Sequence, residues 1–216
     1  MVSYHSGGSA AAFEPFNRNL TDWDNALSQC LGAGCGMTWR GTRLYTTKGD
    51  ASYNLIKSKV EWFKRHRAIL TSDIIHVKQP TGQGIDAFLH VNPRLESEKA
   101  LAMVFNPTDR NITETLVLPL YLSGLVDSVL VSIDGATPAV QRQLARDYSL
   151  GVEVIVPAQS TSWILITGSH TSMADVGPVS SIQGTHPAPI IATSKSPLKS
   201  DDDMHALLSA FQVAPV

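Results

Sequence analysis

The sequence predicts an α+β protein: a short helical, glycine-punctuated N-terminal part, then an antiparallel β-sandwich, then a low-complexity tail. Three observations predict this. Glu61 to Val77, EWFKRHRAILTSDIIHV, begins as the end of an amphipathic helix and finishes as a strand. From Asp73 to Thr167 nearly every segment alternates or is continuously apolar, and turn residues recur about every 8–12 residues. From Gly168 onward Ser, Thr, Pro, Ala and Gly dominate. The expected divisions are 1–72, 73–167 and 168–216.

In the first division, Pro15 bars a helix from running through Phe13-Glu14-Pro15-Phe16. Asn19 or Thr21 is placed to cap a helix from Asp22 to Leu31, with Asp22 and Asp24 in its acidic first turn. Leu31 to Thr38, LGAGCGMT, is small and apolar and suits a short buried strand. Trp39, Arg40, Gly41, Thr42, Arg43 and Tyr45 follow, where an α/β fold exposes a ligand-facing loop. A long helix is predicted from about Tyr53 to Leu70. Ile56, Val60 and Phe63 form its apolar stripe, flanked by Leu55 and Trp62. Lys64, Arg65, His66 and Arg67 read as a solvated helix end that complements the dipole, in preference to a phosphate or nucleic-acid patch.

The middle division holds about eight predicted strands, enough for a two-sheet sandwich. They are Asp73 to Lys78, the alternation around Ile85 to Val91, the apolar run Ala100 to Asn106, the segment marked by Ile112, Leu116 and Leu118, Val126 to Ile133, the weaker Gln141 to Ala145, Val152 to Val156, and Ser162 to Thr167. The continuous run is the mark of a central strand covered on both faces. Asn106-Pro107-Thr108-Asp109 and Asp134-Gly135 supply turn chemistry. Phe88, Phe105, Tyr121, Tyr148 and Trp163 read as core or interface anchors. The third division is expected to be disordered, with a short helix after Asp201 to Asp203 that carries Met204, Leu207, Leu208 and Phe211.

With 216 residues, 43% of them hydrophobic, and a net charge of −2, the chain has the composition of a globular protein. That charge gives no general attraction to nucleic acid or acidic membranes, so neither is an expected partner. No apolar run approaches a bilayer span. The N-terminus lacks the basic and apolar regions of a secretory signal, so the expected location is cytoplasmic unless the true N-terminus is missing. Cys30 and Cys35 have no nearby ligand residues at metal spacing. They read as buried or half-buried thiols, with a local disulfide as the lesser alternative. No metal or cofactor is expected. Asn19-Leu20-Thr21 and Asn111-Ile112-Thr113 match the glycosylation triplet, which matters only in a secreted chain. His5-Ser6-Gly7-Gly8 lacks the G-x-S-x-G elbow of a serine hydrolase.

An ordered series of phrases carries a resemblance. SYHSGGSAAAFEP, GAGCGMTWRGTRLY, WFKRHRAILTSDIIHV, DAFLHVNP, ALAMVFNPTDRNI, LPLYLSGL and ARDYSLGVEVIVPAQSTSWILI resemble the C-terminal part of large glycoside hydrolases of the α-galactosidase-like group. Such enzymes join a (β/α)8 TIM barrel to a C-terminal antiparallel sandwich. The resemblance spans roughly residues 3–167. It implies that 1–72 is the terminal segment of a catalytic barrel, since a whole barrel takes about 250 residues. It also implies that the catalytic carboxylates lie upstream of Met1, so no catalytic residue is expected within this chain and the chain alone should be inactive. Retaining hydrolysis needs two carboxyl groups about 5–5.5 Å apart, and Asp22 and Asp24, two apart on a helix, point to different sides. The resemblance makes carbohydrate the expected partner, through the missing barrel. Tyr4, His5, Glu14, Trp39, Arg40, Arg43 and Tyr45 are the expected sugar contacts, offering aromatic faces and hydroxyl-binding groups. The alternative is a non-catalytic carbohydrate-binding or protein-interaction sandwich, which predicts an exposed aromatic platform on a sheet face.

Overall fold

The computed structural model describes residues 20–36 and 50–169. Within them two helices precede eight strands. Helix α1 is Leu20–Gly32 and helix α2 is Ala51–Leu70. The strands are β1 (Asp73–Lys78), β2 (Asp86–Val91), β3 (Glu98–Asn106), β4 (Ile112–Pro119), β5 (Ser128–Ile133), β6 (Val140–Gln143), β7 (Ser149–Val156) and β8 (Ser160–Gly168). Six form one sheet in the order β1-β2-β3-β8-β5-β6, and β4 pairs with β7 in a second. Every pairing is antiparallel. The fold class is therefore α+β, with a sheet-rich body. The expected tail and its short helix lie outside the described residues.

The alternation of the strands builds the core between the two sheets. Ala87, Leu89 and Val91 of β2, Ala100, Ala102 and Val104 of β3, and Ile164 and Ile166 of β8 turn inward from the large sheet. Leu116, Leu118, Val152, Val154 and Val156 meet them from the small one. The odd-numbered residues of β3 face the other way. Met103 lies opposite Trp163 and Leu101 opposite Leu165 on the side that receives the helices. All of Ala100 to Asn106 is buried, because β3 is covered on both faces. The large sheet is thus the middle layer of three.

Asn106 secures the end of β3. Its Nδ2 donates to the carbonyls of Arg110, Val156 and Pro157 at 2.8, 3.0 and 2.8 Å. Its Oδ1 accepts from the Thr108 amide at 3.0 Å and the Thr108 hydroxyl at 2.7 Å. The predicted Asn106–Asp109 turn is here an exposed corner whose one buried residue, Asn106, ties the ends of β3, β4 and β7 together. Across the opening between the sheets, Lys78 of β1 pairs with Glu114 of β4.

Three expectations are corrected. Leu31 to Thr38 does not begin as a strand: α1 continues through Gly32 and closes in a turn, and Met37 and Thr38 lie outside the described residues. The Lys64–Arg67 run is not wholly solvated, since His66 is only 3% exposed. Its position continues the spacing of Ile56, Val60 and Phe63, which carries it under the sheet while Lys64, Arg65 and Arg67 stay in water. Of the core or interface anchors, Tyr121 and Tyr148 are exposed and so are not core residues, because both lie in the loops that lead out of β4 and into β7. Among the described residues, neither helix is long and apolar enough to cross a membrane.

Candidate functional site

Tyr4, His5, Glu14, Trp39, Arg40, Arg43 and Tyr45 all lie outside the described residues. What the described residues bring together is a polar-aromatic junction between the helices and the outer face of the large sheet. Helix α2 presents Trp62 and His66, one turn apart, to Trp163 of β8 and Glu98 of β3. The ring centres of Trp62 and Trp163 are 5.9 Å apart in an edge-on arrangement. His66 lies 5.0 Å from Trp163 and 5.8 Å from Trp62. Its Nδ1 meets Glu98 Oε1 at 2.8 Å. Among the described residues, the opposite ring nitrogen, His66 Nε2, is buried without a partner, and so is Trp62 Nε1.

His90 binds the other helix. Its Nε2–H donates to the carbonyl of Gly32, at the end of α1, at 2.7 Å. Burial pushes its pKa below the usual imidazole value, and the Gly32 and Ser72 backbones oppose that only in part. The ring is therefore held neutral, with the proton on Nε2. Its Nδ1 is buried beside the Ser72 backbone, without a hydrogen bond of good geometry among the described residues.

A cavity of about 260 Å³ opens between α1, α2 and the sheet, with Leu31, Met103, Trp62 and Trp163 as its apolar walls. Ser28, Lys59 and Asp134 are among its polar groups. The Lys59 ammonium donates to Ser28 Oγ at 2.8 Å and pairs with Asp24. Asp134 sits in a tight turn with Gly135, at φ 49° and 77°. Its carboxylate accepts from the Ser162 hydroxyl and the Trp163 amide, each at 2.9 Å. Asp24 is thus neutralised by a lysine and Asp134 fixed by sheet donors. Neither is set up as half of an acid–base pair. Among the described residues no three His, Cys, Asp or Glu side chains gather as a metal site.

The spacing of α2 marked Trp62, and the sandwich aromatics marked Trp163. His66 and Glu98 were missed. The available signal for His66 was the stripe itself, which reaches it three residues after Phe63; Glu98, polar and next to a turn, gave none.

No protein-family model matches the chain, and no curated protein matches it. Among solved structures it is similar to a Bacillus halodurans C-125 protein assigned as an α-N-acetylgalactosaminidase, with 18% identity and a TM-score of 0.43. That likeness covers 68% of this chain and 31% of the other. It is also similar to an α-amylase of Geobacillus thermoleovorans complexed with acarbose, with 10% identity, a TM-score of 0.44, and 70% and 34% of the two chains covered. The chain spans about a third of the length of each structure.

Proposed function

We propose that this chain is the C-terminal portion of a glycoside hydrolase: the closing segment of a (β/α)8 catalytic barrel, residues 1–72, joined to a β-sandwich, residues 73–167. The catalytic carboxylates belong to the upstream part of the barrel. Tyr4, His5, Glu14, Trp39, Arg40, Arg43 and Tyr45 contribute sugar contacts at its substrate end, and the reaction is acid–base hydrolysis of a glycosidic bond. The ordered sequence phrases that resemble such enzymes support the reading.

The structural observation that carries it is where the unmet polar atoms lie. Among the described residues, Trp62 Nε1 and His66 Nε2 have no partner, and both are on the helix side of the large sheet. Helices α1 and α2 have no strand of their own among the described residues and rest on the sandwich instead. Beside them Ile74 of β1 is 45% exposed and Phe88 of β2 is half-exposed on the same face. A finished surface satisfies its buried polar groups. Among the described residues this face does not, and we take further barrel chain, beginning with the undescribed parts of residues 1–72, to complete it.

The purified chain should show no turnover of aryl glycosides or oligosaccharides, and fusion to the upstream strand–helix repeats should restore it. Turnover by the 216-residue chain alone, abolished by Glu14→Gln, would overturn the proposal. Among the described residues, the small sheet offers the sandwich-binding alternative no aromatic platform. The outward residues of the small sheet are Thr113, Thr115, Val117, Gly151, Glu153 and Ile155, with no aromatic among them.

A further inference from the structure

Helix α1 ends in a motif with a chemical consequence. The Cys30 carbonyl accepts from the Cys35 amide at 3.0 Å, and inside that bond the Leu31 carbonyl accepts from the Gly34 amide at 3.0 Å. Gly34 occupies the left-handed region, at φ 75°. This nested pair of bonds over a left-handed glycine is the Schellman ending. A contact between the side chains of the two residues joined by its outer bond, ordinarily an apolar one, frequently accompanies it; the Cys35 thiol lies 3.9 Å from the Ala33 carbonyl within that cap. Here both are cysteines, and both are free thiols. A backbone bond between the two residues also holds their Cα atoms near the ~4.4–6.8 Å separation that a disulfide spans.

We infer that Cys30 and Cys35 are a dithiol redox site that closes into a disulfide across the cap of α1. The reaction partner is a low-molecular-weight disulfide of the glutathione type. Cys35 is exposed and Cys30 half-buried, so Cys35 reacts first. Its thiolate attacks one sulfur of the small disulfide; a mixed disulfide forms and one small thiolate leaves. Cys30 then gives its proton to solvent and attacks Cys35 Sγ, which expels the second small thiolate. Two protein thiols are oxidised, and one disulfide is reduced to two thiols. Burial, and then the neighbouring Cys35, push the Cys30 thiol up, so it forms its thiolate less readily and does not open the exchange. The cap is a firm base for closure. A Cβ on Gly34 would stand 2.1 Å from the Leu70 carbonyl oxygen, and Gly32 is bonded to His90.

The site is tested on the full chain, reduced and then equilibrated anaerobically with mixtures of glutathione and glutathione disulfide. The samples are acid-quenched and alkylated with N-ethylmaleimide. Trypsin leaves both cysteines on one peptide, residues 19–40. The expected product is that peptide without alkyl groups and lighter by two hydrogens, in a fraction that rises with the share of disulfide. Cys30→Ser should stop at glutathione bound to Cys35, and Cys35→Ser should leave Cys30 alkylatable. A wild-type peptide that carries two alkyl groups at every ratio, or accumulates only the Cys35–glutathione adduct, would overturn the inference.

Discussion

The two faces of the six-stranded sheet are built to different standards. On the sandwich side, Asn106 satisfies five partners and the core is closed by aliphatic side chains from both sheets. On the helix side, Trp62 Nε1 and His66 Nε2 find no partner among the described residues, and a tryptophan pair frames a cavity. The same strands, β2, β3 and β8, make both faces. The contrast therefore comes from what covers them: a sheet that reproduces the alternation residue for residue, against two helices that reach only part of the surface.

The comparison can be broken most severely inside the sandwich. Leu89→Ala removes a fully buried side chain and should cost about 3–4 kcal/mol in urea unfolding. The helices should be lost in the same transition, since they rest on the same sheet; a separate surviving helical transition would make the two regions independent. Asn106→Ala should cost about 3 kcal/mol, because several buried backbone groups lose their partner together. A loss below about 1 kcal/mol would mean that water replaces the side chain.

On the other face the penalties are smaller and more local. Gly34→Ala puts a methyl against the Leu70 carbonyl at positive φ and should cost about 2 kcal/mol. Hydrogen exchange should speed up in α1 while β3 and β8 stay protected. Equal acceleration in β3 would contradict this. Glu98→Gln keeps a partner for His66 Nδ1 but removes the charge, and should cost about 1 kcal/mol. Chemical denaturation of wild type and variant at one pH reads the difference.

The mildest test is graded with pH. Because burial lowers the His90 pKa from 6.5 in the folded chain, its neutral form supports the fold fully above that value. As pH falls below 6.5 the unfolded chain takes up the proton first, so stability drops until the folded ring titrates as well. His90→Gln should flatten that part of the stability–pH curve. An unchanged slope would assign the dependence to other groups.

Much of this architecture is written locally. The alternation from Asp73 to Thr167 located all eight strands, because turn residues and period-two burial act within a few positions. The same residues do not say which strand joins which sheet, since β4 and β7 pair across a separation that only tertiary packing decides. LGAG misled for a physical reason: small apolar residues suit a buried strand as well as a helix end pressed against Met103, and Gly34 marks the true stop only once its left-handed turn is known. His66 was hidden by the charge of its neighbours. Tyr148 was misplaced because aromatic bulk gives no hint that its backbone adopts φ 60° in an exposed turn. Of the candidate site, the tryptophans were legible and their polar partners were not; the expected sugar contacts lie outside the described residues.

The side chains of β3 sort by size as well as by side: Ala100, Ala102 and Val104 one way, Leu101, Met103 and Phe105 the other. Hydrophobicity alone would not stop the strand from sliding one place along β2 and β8, because both of its surfaces are greasy. Bulk does. A one-step slip would drive a leucine, a methionine and a phenylalanine into gaps shaped for two alanines and a valine and leave voids beneath the helices. Volume here works as a key that admits a single alignment, and it sets the helices and the small sheet in step with each other across the large sheet that lies between them.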